Sequence, residues 1–147
     1  MNIGEHLKRD RLIAYSFLWS EARLVIAAGA LFLNGVPPIS LIFGLYGFMG
    51  TLLTFAWIIS GVASGYLLYQ WHKEGGQLFG KKELSDRVYF FVLIVSGFNL
   101  GFAGLFKTNI GMSISSNYVL FLIVGLLYIF SAYYLFTQWK KNNKKIL

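Results

Sequence analysis

Residues 39–71 read ISLIFGLYGFMGTLLTFAWIISGVASGYLLYQW, thirty-three positions without one charged side chain. A hydrocarbon core about 30 Å thick takes about 20 helical residues to cross, so the run holds one membrane span with residues to spare. Gly44, Gly47 and Gly50 fall in its first half, and Pro37 and Pro38 precede it. This predicts a turn or partial helix around 39–48 and the span proper over about 49–71.

Outward from that run, the pattern repeats. An apolar stretch from Leu12 to Gly35 is interrupted only by Glu21 and Arg23. After a polar connector at 72–87, in which Ser85 or Asp86 is a candidate cap, come apolar runs at Val88–Phe106 and Tyr118–Trp139, and then a basic tail. Over the 147 residues, 56% are hydrophobic and 13% charged, against roughly a quarter charged in soluble domains. The expected fold is therefore an all-α integral membrane protein with four transmembrane helices.

The net charge of +7 reads as topology rather than as a nucleic-acid site. Basic residues lie before the first run (Lys8, Arg9, Arg11), in the connector (Lys73, Lys81, Lys82, Arg87) and in the tail (Lys140, Lys141, Lys144, Lys145). The other two loops hold only Lys107. The positive-inside tendency then puts the three basic segments and both termini in the cytoplasm, in a multi-pass membrane protein. Tyr69, Trp71, Tyr133 and Trp139 sit where interfacial anchors belong, and the basic segments would meet anionic lipid headgroups. Glu21 and Arg23 break the h-region that a cleavable signal peptide needs, so none is expected. The absence of cysteine excludes disulfides, thiolate metal sites and cysteine nucleophiles.

A shift of 68 residues lays Tyr66, Leu67, Gln70, Trp71 and Lys73 on Tyr134, Leu135, Gln138, Trp139 and Lys141. This suggests two tandem hairpins in the same orientation, at 20–71 and 88–139, joined by the connector 72–87 and followed by the tail 140–147. The alignment also moves the start of the first span. A helix starting at Leu12 would put Glu21 and Arg23 about 14 to 17 Å along its axis, near mid-bilayer, where an unpaired charge costs at least ~2.5 kcal/mol. A span starting near Ser20 leaves them at the cytoplasmic interface and makes 1–19 a cytoplasmic lead with an interfacial helix anchored by Tyr15 and Trp19. The second arrangement is the one favoured on cost.

Gly61 and Gly65, and Gly97 and Gly101 with Gly104, are spaced to form small-residue grooves for helix packing, within the chain or between chains. Asn99 lies about 200° around the helix from Gly97 and shares a weakly polar face with Ser96 and Ala103. Mid-span hydroxyls at Thr54, Ser60 and Ser64 are expected to bond back to the preceding turn, and Asn34 reads as a helix-end residue. A polar path, if one exists, would use Glu21, Arg23, Ser96 and Asn99. His6 and His72 lack carboxylates at ligand spacing, so no metal site, cofactor or catalytic constellation is expected.

The run Gly97-Phe98-Asn99-Leu100-Gly101-Phe102-Ala103-Gly104-Leu105-Phe106, with Asn109 and Val124-Gly125-Leu126-Leu127-Tyr128, resembles a family of small two-helix bacterial membrane proteins of unknown function. That family carries Gly-x-Asn-Trp-Gly-Leu-x-Gly-Leu, and Leu100 stands here in place of its Trp. The resemblance covers 88–136 and implies a helical hairpin of bacterial type, and with it a place in the bacterial inner membrane, without a mechanism. Two functions follow from the sequence. The first is a non-enzymatic structural or accessory subunit, or a homo-oligomer, acting through helix packing. The alternative is a small channel or transporter, with Ser96 and Asn99 along a path and Glu21 and Arg23 gating its cytoplasmic mouth.

Overall fold

The computed structural model describes residues 9–43 and 47–147; the expectations placed on 1–8, His6 and Lys8 among them, and on Gly44 lie outside the described residues. The described chain is helical: α1 Arg9–Phe32, α2 Ser40–Phe43, α3 Phe48–Lys73, α4 Leu84–Phe106, α5 Ile110–Ile114 and α6 Tyr118–Lys141. The four long helices, of 24, 26, 23 and 24 residues, are apolar enough to span a membrane. At 1.5 Å per residue they are about 35–39 Å long, enough for a hydrocarbon core of about 30 Å. They fit a multi-pass membrane protein.

Each long helix stops where its side chains stop supporting it. α1 gives way to Asn34 and Gly35, both at positive φ, followed by Pro37 and Pro38. Asn34 is therefore the helix-end residue that its type suggests. α4 ends on Lys107 in the left-handed region. Asn109 and Asn117 cap α5 and α6, their side chains accepting from Met112 N and Val119 N. α4 starts earlier than Ser85 or Asp86 would set it: Glu83 is the N-cap, without a side-chain cap bond. Asp86 instead is buried in the first turn and accepts from the Tyr134 hydroxyl at 2.8 Å, which pins α4 to α6.

The start of the first span also differs from expectation. α1 is one unbroken helix from Arg9, with no interruption between Trp19 and Ser20. Ile13 and Phe17 are buried in the bundle core rather than lying on a membrane surface, because Phe17 packs on Trp139 with ring centroids 5.8 Å apart.

The long helices form a ring in which α3 packs on α4 and α1 on α6, closed by α1 against α3 and α4 against α6. One end gathers the basic segments: Arg9 pairs with Glu74 at 2.8 Å, and Phe79 N donates to Ile146 O at 2.8 Å, joining the connector to the tail. The half of the bundle near this end is solid. Phe17, Leu67, Phe90 and Leu135 are inaccessible, with Leu78 and Ile146 sealing the base. Trp71 lies on Phe90 and Phe91, with ring centroids 6.0 and 5.3 Å away.

Candidate functional site: a cavity in the half opposite the basic end

The glycine grooves meet inside the chain. A β-carbon on Gly61 would fall 2.8 Å from the Cα of Gly101, and one on Gly101 equally close to the Cα of Gly61. Gly104 would meet Ile58 Cγ1 at 2.9 Å and Thr54 O at 3.1 Å, and Gly97 would strike the Ser64 side chain. Gly65 is looser, with Phe98 at 3.6 Å. The five glycines thus form the α3–α4 seam, and close packing there supplies the contact that hydrophobicity cannot drive between helices in lipid.

With α3 and α4 held that close, space opens elsewhere in the ring. A cavity of about 500 Å³ lies in the half of the bundle away from the basic end, lined from all four long helices. Trp19 and Arg23 of α1, Ser60 of α3, Ser96 of α4 and Tyr128 of α6 form its floor; Pro37, Pro38, Lys107, Asn109, Gly111 and Met112 surround its far end. The space exists because the walls are small where they face it, at Ala22, Ala27, Ala30, Ala56 and Ala103. Ile26, Leu120 and Met112 line it and are themselves exposed.

Arg23 sits about 21 Å along α1 from Arg9 by helical rise, in a helix about 36 Å long. It is therefore near mid-depth and not at an end. It is 6% exposed; its Nη1 donates to Ser96 Oγ and its Nη2 to Leu93 O at 2.8 Å, while Nε has no partner. Among the described residues no carboxylate makes an ion pair with it. Trp19 Nε1 donates to Ser60 Oγ at 3.1 Å, and Ser60 Oγ donates to Ala56 O at 2.7 Å. The expected back-bonding of Ser60 and Thr54 is thus present, Thr54 Oγ1 donating to Gly50 O, whereas buried Ser64 Oγ has no partner.

At the far end Asn99 is a structural tie. Its Nδ2 donates to Asn109 Oδ1 at 3.0 Å, and its Oδ1 accepts from Gly111 N at 3.1 Å. Lys107 Nζ donates to Thr54 Oγ1 at 3.0 Å.

Three of the four polar-path residues, Arg23, Ser96 and Asn99, therefore share one cavity. Glu21 does not. Two positions from Arg23 is about 200° of helix, which turns Glu21 to the side of α1 that carries Phe32, seated against Gly125 of α6. Glu21 is 6% exposed and its Oε1 has no partner. Both charged residues are buried among the helices and neither lies at an end of α1. Trp19, expected among surface anchors, is 40% exposed and also lines the cavity; Trp57 was not singled out, and Tyr128 and Lys107 only as a motif residue and a loop charge. The alanines facing them are the sequence signal that could have marked the space.

No family model, curated protein or solved structure matches this chain, and the likeness of 88–136 to the two-helix family stands on its motif alone.

Proposed function

We propose that this protein binds a small solute in its internal cavity and passes it across the membrane, as a small transporter or channel. The observation that carries this reading is the cavity of about 500 Å³ bounded by all four long helices, a size typical of small-molecule sites, above a half-bundle packed solid toward the basic end. With the basic segments cytoplasmic, the cavity faces the opposite side and the packed half is the barrier. The pairing of α3 with α4 and of α1 with α6 is what two hairpins related by an axis along the membrane normal would produce, and so supports a tandem repeat. The accessory-subunit and homo-oligomer reading drew on the glycine grooves, which the α3–α4 seam uses within one chain.

The test is flux through purified protein in liposomes for protons, cations, halides and small organic acids. Ala103→Trp, which fills the cavity, is expected to abolish flux. Glu21→Gln, off the cavity, is expected to leave it. Absence of flux for every solute in correctly oriented native protein would overturn the transport reading and return the protein to an accessory role.

A further inference from the structure

Resting on the reading of the cavity as a solute site, the side chains around it narrow what it takes. Arg23 and Lys107 both line it and, among the described residues, no carboxylate does, so the lining attracts anions and repels cations. Lys107 is exposed at the far end and acts at long range, drawing anions inward. Arg23 is buried at the floor, with Nε unpartnered and no acid in ion-pair contact among the described residues. A guanidinium out of water with no acid in contact is costly, Glu21 being buried two positions away on another side of α1. The Nε is closed off from the cavity, so an anion entering there meets the Nη groups and supplies the contact charge that Arg23 lacks.

The remaining walls fix the rest of the molecule. Leu53, Trp57 and Phe121 face the space between floor and far end, and a polar body placed there would lose its water without gaining partners. A single buried cation also matches a single negative charge; a dianion would leave a net charge in a low-dielectric interior. We infer that the cavity binds a small monocarboxylate with an apolar body, aromatic or short-chain aliphatic, its carboxylate on the Arg23 guanidinium and its body against Trp57 and Phe121.

The experiment uses the full chain in neutral phosphatidylcholine nanodiscs and three probes with one body: 4-(4-bromophenyl)butyrate, its amide, and the corresponding amine. Bromine quenches tryptophan fluorescence at contact, and Trp19 and Trp57 line the cavity. The acid is expected to quench saturably, the amide to bind at least tenfold more weakly, and the amine not to bind. Arg23→Gln is expected to weaken the acid at least tenfold and leave the amide unchanged. Equal binding of acid and amide to the native chain would overturn the anion anchor while leaving the cavity a solute site, and this comparison needs no variant to fold. Saturable binding by none of the three would remove both the anchor and the solute-site reading.

Discussion

Gly61 and Gly101 set the distance between α3 and α4, and their effect can be isolated residue by residue. A methyl at Gly101 must displace the backbone of Gly61, with 2.8 Å available to its Cα, and backbone cannot move aside as the end of a flexible side chain can. Gly101→Ala is therefore expected to destabilise by about 1–3 kcal/mol, the range for overpacking, read as a lower unfolding midpoint in detergent. Gly65→Ala meets only Phe98 at 3.6 Å, an ordinary contact, and is expected to stay within about 0.5 kcal/mol. Equal losses at both positions would mean that the seam does not depend on close approach. The glycine spacing was readable from the sequence because it is a property of single helices. Which partner it meets was not, since that depends on the ring.

At the scale of elements, α5 is too short to stand alone and is held by three bonds of the Asn99 and Asn109 side chains, besides that of Ser113 Oγ to Asn109 O. Asn109 caps it through Met112 N, and Asn99 grips both Asn109 Oδ1 and Gly111 N. Removing either amide leaves the other short of partners, so Asn99→Ala and Asn109→Ala are expected to act through the same contact. Each single variant should raise amide hydrogen exchange over 110–114, and the double variant should add little beyond either. Additive effects would mean that the two amides act separately. Three of the four spans were legible to within four residues at each end, because charged or turn-forming residues bound them. The first was not. Glu21 and Arg23 look like a boundary when the alternative is lipid, yet α1 runs through them because Ser96 and Leu93 supply partners for Arg23. A charge buried by residues 70 or more positions away cannot be distinguished from an interfacial one within its own helix. The cavity was hidden for the same reason, being made of small residues on three separate helices.

For the whole molecule, the decisive quantity is which way the cavity faces. The fold brings Lys73, Lys81, Lys82, Arg87 and the tail lysines to one end, joined by the Arg9–Glu74 pair and the Phe79–Ile146 hydrogen bond, while Lys107, Asn109 and the cavity lie at the other. On the proposed transport reading, a cytoplasmic basic end leaves the cavity accessible from outside, with Arg23 about midway along α1. Because the chain has no cysteine, single cysteines report sidedness without background. In intact cells, Ser116→Cys is expected to react with a membrane-impermeant maleimide from outside, whereas Lys81→Cys and Lys145→Cys are expected to react only after the membrane is opened. All three positions are exposed, so lack of access cannot be mistaken for burial. The reverse labelling would turn the same cavity toward the cytoplasm and make Arg23 a site loaded from within.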